Sequence, residues 1–433
     1  MRTKIIPIIS ATVFALLFLT SCEDSTYKEY TGNMPVYMSY ETLRSSVSGG
    51  HTSLLANPGK IYFKDKYIFI VEEMHGIHVF DNSDPSAPVE KDFVIIPGVV
   101  DISISGSMLY ADSYVDIVVL DVSDITKIHE AGRLKDILPY TVPATGNSYP
   151  LAYVDQTKGV VSGWIVGTIK EKVTNVTYPY PIYYDLATSY RGLVNAAGAS
   201  SGVSGSGVGI GGSMARFGIR DNALYAIDQN LLKIIDITDK INPVKLSDFY
   251  TGWNVETMFL AGNNMFLGTT TGMVIYDISI PTAPVYRSFY SHVRSCDPVI
   301  VDDTLAYVTL RSGSTCGGSV NSLDIVNVKN ISSPAIVISY AMTNPHGLGK
   351  DGNLLFICDG DAGLKVYDAA NPKTISAHLL FTYSQINAYD AIPVDGVLVM
   401  IGSDGMYQYD YSNPLNIRLL SKISVVPRFM PDK

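Results

Sequence analysis

Apolar and polar residues alternate with a period of two along most of the chain, in runs of four to six broken by Gly, Asn, Asp and Pro. Runs of this kind are strands joined by tight turns. One pattern recurs: an alternating apolar pentad, then Asp, then Ser, Thr or Asn, then Pro. It first reads Ile77-His78-Val79-Phe80-Asp81, and later copies end at Asp121, Asp236, Asp277, Asn327, Asp368 and Asp410. These anchors are 40, 115, 41, 50, 41 and 42 residues apart, so a unit of about 41 residues repeats seven times. The long gap is one unit plus an insertion of roughly 75 residues. No amphipathic segment of helical period and length is evident.

Each unit holds four strand-like runs. In the fourth they fall at 255–260, 265–268, 273–277 and 285–290, with Ala261-Gly262-Asn263-Asn264 turning between the first two. Four antiparallel strands in a unit of this length predict an all-β chain, a seven-bladed β-propeller of four-stranded antiparallel blades. A solenoid could stack the same units, but radial closure hides sheet edges better. The blades are expected at 59–97, 99–139, 214–252, 254–293, 295–341, 345–384 and 388–427, within a propeller spanning 36–427. The insertion, 140–213, falls between blades 2 and 3. The Asp closing each third strand is placed to accept backbone N–H bonds in the turn, while the Pro beyond it fixes φ.

The Ile-x-Val-x-Asp-x-Ser-x-Pro units carry a resemblance. So do Cys296-Asp297-Pro298, Asn344-Pro345-His346-Gly347-Leu348-Gly349 and Cys358-Asp359-Gly360-Asp361-Ala362-Gly363-Leu364. Together they resemble the LVIVD-repeat lipoproteins over about residues 59–427. The resemblance implies a β-propeller on an exported bacterial lipoprotein and brings no catalytic residue. Blade 5 departs from it, with Asn327 for Asp and Lys329 for Ser, and blade 6 has lost the Ser.

The N-terminus reads as an export signal over 1–21. Arg2 and Lys4 precede an apolar run, 5–19, too short for a stable span. Leu19-Thr20-Ser21-Cys22 resembles a bacterial lipobox, so Cys22 is expected to be lipidated, anchoring the chain to the membrane, with the outer membrane the expected site. Residues 22–35 are expected as a polar tether; 35–40 could instead clasp the ring. Glu23-Asp24 reads either as an acidic export tag or as plain linker.

Composition narrows the function. The chain has 433 residues, 47% hydrophobic and only 17% charged, where about a quarter is usual. Mean hydropathy is +0.18, yet the only long apolar stretch is N-terminal, which excludes a polytopic membrane protein and a disordered chain. Net charge −10 argues against nucleic acid as a partner. The 29 Tyr exceed what strands alone explain.

If first strands line the channel, their starts, the second-to-third loops and the blade connectors share one face. One polar residue per blade is expected at that mouth: Lys60, Asp101, Arg216, Thr257, Asp297, His346 and Asp390. Three carboxylates, two cations and an imidazole could hold water, a small anion or Ca²⁺, or simply pair with one another. No other cofactor and no metal-ligand motif is evident. The insertion's Tyr178, Tyr180, Tyr183 and Tyr184 suit recognition of a glycan or protein, or pack the insertion onto the propeller. Residues 152–154 and 160–168 are expected to form a hairpin across a 156–159 turn. The Gly-rich 205–212 lacks the ending of a phosphate loop. Cys296 and Cys316 could form a disulfide on the mouth face, while Cys358 reads as a small buried hydrophobe. The leading expectation is a monomeric, non-catalytic binding module on the cell envelope. The alternative is an extracellular carbohydrate-active hydrolase or lyase using Asp101, Asp297, His346 or Asp390.

Overall fold

The computed structural model describes residues 27–172, 182–184, 210–211, 215–228, 230–252, 255–292, 298–312 and 320–426. It is a seven-bladed β-propeller. Blade 1 is built from Pro58–Lys64, Tyr67–Glu72, Gly76–Asp81 and Val89–Ile95, and blade 2 from Ile102–Ser105, Met108–Ser113, Asp116–Asp121 and His129–Leu134. Blades 3 to 7 repeat this antiparallel order over 217–250, 255–291, 299–341, 348–383 and 388–424. First strands of successive blades pack around the axis, and fourth strands face solvent.

The strand periodicity has a direct structural result. Second and third strands are apolar on both faces because each sheet is sandwiched between neighbours; an apolar cluster fills the gap between blades 1 and 2, and others fill those between 2 and 3, 3 and 4, and 6 and 7. An aromatic residue holds the third position of the second strand in six blades: Phe69, Tyr110, Tyr225, Phe266, Tyr307 and Phe356, all buried. Part of the Tyr excess is thereby explained, since two of these hydroxyls stitch one blade to the next. Tyr110 donates to Lys240 O (3.0 Å) and Tyr225 to Pro281 O (2.7 Å).

The recurring Asp behaves as its position predicts. In all seven blades its Oδ1 accepts the N–H two residues on, from Ser83 onto Asp81 (3.0 Å) to Ser412 onto Asp410 (2.9 Å), with Asn327 serving equally in blade 5. The residue after it donates to a carbonyl in the first hairpin turn of the same blade, as Asn82 does to Lys66 O. That hairpin turns on a positive-φ residue every time: Asp65, Gly106, Asp221, Gly262, Asp303, Gly352 and Asp395. Gly and Asp are the residues that tolerate this region most cheaply.

The ring closes without exchanging a strand, because blade 7 supplies all four of its own. Asn82 and Gln408, buried and 326 positions apart, exchange two amide hydrogen bonds of 2.8 and 2.7 Å. Val426 N donates to Leu55 O (2.8 Å), and Ile61, Ile70 and Phe80 pack on Ile392, Val399 and Met406.

Two expectations are corrected here. The tether does not run to residue 35, and 35–40 is no ring clasp: Tyr27–Met38 is a strand, antiparallel to Val160–Lys172 from Tyr27↔Lys172 to Met38↔Val160. The expected hairpin of 152–154 with 160–168 is therefore absent, because the N-terminal strand takes that edge. Asn33 also joins 147–152 to the ribbon through Asn147, Tyr149 O and Pro150 O. Blade 1 gains two strands: Ser48–His51 on its outer edge and Ile210–Gly211 on its channel edge, opposite Phe63 and Tyr62.

Gln408→Leu should cost about 1–3 kcal/mol, because it strands the buried Asn82 amide. A melting temperature equal to the parent's would mean that apolar packing alone closes the ring.

Candidate functional site at the channel mouth

First strands descend from the mouth, so their first residues and the second-to-third loops lie together there. In blades 1 to 3 the expected residues do meet. Lys60 Nζ lies 2.7 Å from Asp101 Oδ2, which also accepts the amides of Arg216 (2.5 Å) and Phe217 (3.1 Å). Asp101 Oδ1 accepts the N–H of Ile102 (2.8 Å). Asp101 is thus a bracket between three blades, and its lone pairs are spent on structure. Burial pulls the Lys60 ammonium below its ordinary range despite Asp101, and the charge of Arg216 adds to the effect. The Arg216 guanidinium donates to Ile227 O (3.2 Å).

Thr257, His346 and Asp390 are buried at the same end in blades 4, 6 and 7, while Asp297 lies outside the described residues. The expected ring slips by one residue in two blades. Counting back from the positive-φ turn residue gives Lys60, Asp101, Arg216, Thr257 and Asp390, but Pro298 in blade 5 and Gly347 in blade 6. His346 therefore precedes the ring position. Its N–H donates to Cys358 O (2.7 Å) and its carbonyl accepts Thr309 Oγ1 (2.6 Å), tying blades 5 and 6. Its ring is enclosed, with both nitrogens unpartnered among the described residues. Burial first, then the nearby Arg311 charge, holds it far below the usual imidazole range.

The sequence reading missed other mouth groups. Asp112, at the end of blade 2's second strand, accepts the amides of Val100 (2.7 Å) and Asp101 (2.9 Å) on one oxygen, and burial lifts its carboxyl to about 6. Glu73, buried beside Lys60, is pushed up strongly by burial and accepts from Asn57 Nδ2 (3.2 Å). Buried Arg311 in blade 5 feels Glu256 of blade 4 and Tyr389 of blade 7, although burial lowers it to about 10. A carboxylate ending an otherwise apolar second strand, as in Leu109-Tyr110-Ala111-Asp112, was the available signal. Among the described residues, no group of three or more His, Cys, Asp or Glu is placed to hold a metal ion.

On the rim of the same face, the N-terminal segment docks on blade 2. Leu43, Val115 and Val160 form an apolar contact with Met38, Tyr40, Tyr114 and Tyr140 around it. Beside it, buried Asp116 takes Arg44 on both oxygens (2.9 and 3.0 Å), Arg133 (3.1 Å) and the Asp136 amide (2.8 Å). Burial raises this carboxyl, but Arg44, the Asp136 amide and Arg133 together outweigh it and the net displacement is downward. Trp164 of the ribbon donates to Pro143 O (2.6 Å), and Thr141–Pro143 pairs in parallel with Ile182–Tyr184. Tyr183 and Tyr184 thus lie on a strand of this accessory layer. Tyr178, Tyr180, Cys22, Cys296 and Cys316 lie outside the described residues. Cys358 is free and buried, its thiol pushed well up by burial.

The LVIVD repeat model matches residues 59–94 and 98–136, which are blades 1 and 2. No curated protein matches the chain. Among solved structures, the computationally designed Ika8 protein is similar at 11% identity, over 87% of this chain and 90% of its own, with a TM-score of 0.49. Sqt1 of Saccharomyces cerevisiae follows at 8% identity, over 90% and 89%, with a TM-score of 0.49. BamB from Moraxella catarrhalis is 10% identical over 79% and 81%, with a TM-score of 0.43.

Asp112→Asn keeps an oxygen for the two amides and removes the charge. The folded carboxyl titrates near 6 and an unfolded one near 3.9, so the native state binds more protons between them. That group's stabilising contribution is therefore present at low pH and lost as pH rises through this window. The variant should exceed the parent by roughly 2–3 kcal/mol at pH 8 and match it near pH 4. Identical stability profiles against pH would show that Asp112 ionises normally.

Proposed function

We propose that the chain is a lipid-anchored envelope or cell-surface binding protein, held at a bacterial membrane through Cys22, and that its mouth face receives a glycan, peptide or protein partner. The observation that carries this reading is the accessory layer. The N-terminal strand and the insertion depart from sevenfold repetition, and both build over blade 2 on the mouth face. Non-repeating structure laid on a rigid repeat scaffold is where recognition concentrates. The charges nearest the mouth in blades 1 to 3 are committed to ion pairs and backbone amides, which suits a rigid platform better than proton transfer.

The second reading, a carbohydrate-active hydrolase or lyase, draws support from the proton-holding carboxyls Asp112 and Glu73 beside Lys60. It loses Asp101, which has no free role left to play.

A photo-crosslinking side chain placed at Tyr183 or Tyr184 should give a discrete adduct in cells, and one at Tyr250 on blade 3's exposed outer strand should give none. Equal or absent adducts at all three positions would count against recognition by the insertion. Cys22→Ser should abolish fatty-acid labelling and move the protein from the membrane to the soluble fraction. Undiminished labelling would remove the anchor from this reading.

A further inference from the structure

The ribbon of Tyr27–Met38 and Val160–Lys172 has two unlike ends. Its base, Met38↔Val160, sits in the apolar contact on blade 2. Its other end holds Tyr27, Lys28, Glu29 and Tyr30 opposite Lys172, Glu171, Lys170 and Ile169. Tyr27 is 53% exposed although it is a large aromatic in a paired strand. Lys170 lies 5.5 Å over the Tyr27 ring and Lys28 lies 5.0 Å over Tyr30. The Glu residues face Lys across the strands, as Lys28↔Glu171 and Glu29↔Lys170, so the end carries three cations and two anions within a chain of net charge −10.

Where the chain goes next identifies the surface this end meets. Cys22 stands five positions before Tyr27, and the apolar run 5–19 lies just beyond it. With the chain held by a lipid on Cys22, the residues at Tyr27 are the first described part to leave the bilayer. Tyr and Lys are the side chains suited to that boundary. The phenol ring sits at the headgroup level with its hydroxyl toward water, and the Lys stem lies along apolar surface with its ammonium in the polar layer.

We propose that this end of the ribbon, formed by Tyr27, Lys28, Tyr30, Lys170 and Lys172, rests in the headgroup boundary of a lipid bilayer. The remaining length, 31–38, is a stalk of about 26 Å between bilayer and propeller. The proposal deepens the anchor reading and rests on it.

The test uses the full chain, processed in cells, purified in detergent and reconstituted into phosphatidylethanolamine–phosphatidylglycerol vesicles doped with brominated lipid. On a Trp164→Phe, Trp253→Phe background, Tyr27→Trp is compared with Tyr250→Trp on blade 3. Tyr27→Trp should give blue-shifted emission and lose about half its intensity to the brominated chains, as an interfacial aromatic does. Tyr250→Trp should be unaffected. Vesicles that float with the protein while both variants behave as water-exposed would overturn the ribbon contact and leave the anchor intact. A protein that does not float would overturn both. Because Tyr27 is exposed, the substitution leaves the packed base of the ribbon untouched, and an unchanged melting temperature confirms this.

Discussion

Everything else in the molecule depends on closing the ring. Each blade is a small sheet with two apolar faces, and such a sheet has no stable existence alone. A solenoid would leave two of these faces to be capped; here the seventh blade covers the first. The closing contact brings together residues more than 300 positions apart, and it is specified by more than apolar packing. The Asn82–Gln408 amide pair admits one register between blades 7 and 1, and two unmatched buried amides would penalise any other. Closure also keeps the charge content low, since second and third strands are largely shut off from water and a charge there, such as Asp112 or Asp116, needs a partner.

The same constraint governs the mouth. Where first strands converge, backbone groups and charges crowd into a small volume, and each must find a partner. Asp101 shows the outcome in blades 1 to 3: one carboxylate answers a Lys and two amides of the next blade. In blades 4 to 7 the groups are different. There a buried Arg311, a Glu256, a neutral His346 and Asp390 share the space. Sevenfold architecture therefore does not give a sevenfold mouth.

Architecture was legible in the sequence because it is written locally. The Asp at the end of each third strand and the Gly or Asp in each first hairpin sit at the positions their turns require, and both recur in step with the blades. The mouth was legible to within one residue. Polar Asp297 and His346 drew the ring away from Pro298 and Gly347, which the turn geometry places there. Of the ribbon only one strand was legible: 160–168 reads as a strand, but its partner Tyr27–Met38 does not. Its strands are about 130 residues apart, and Gly32-Asn33-Met34-Pro35 has too little alternation to declare a strand. Gly32 is needed because Ile169 and Pro150 O stand where its side chain would be, a demand visible only once the partner strand is in place. Burial of Asp112 and Glu73 was hidden for a similar reason, since it arises between blades.

The two faces of the propeller carry different kinds of information. On one, the first hairpins and third-strand turns repeat with little change, and their Asp carboxylates, held down by Ser hydroxyls and turn amides, are spent on local order. On the other, repetition fails. Blade 2 carries the Asp116 ion network and the ribbon, blade 1 accepts a strand on its channel edge, and blades 5 and 6 shift their polar residues by one. A closed ring cannot accommodate an inserted segment between strands of a sheet, nor at the inter-blade core, without breaking its packing. Additions can enter only at loops. The first hairpins of that face leave no slack, being two residues on a positive φ, and its third-to-fourth turns keep seven residues in six blades, with only a short 3-10 turn at Ile375–Ala377 added in blade 6. The mouth-face connectors have that slack, and the longest additions to this scaffold, the ribbon and the insertion between blades 2 and 3, are built there.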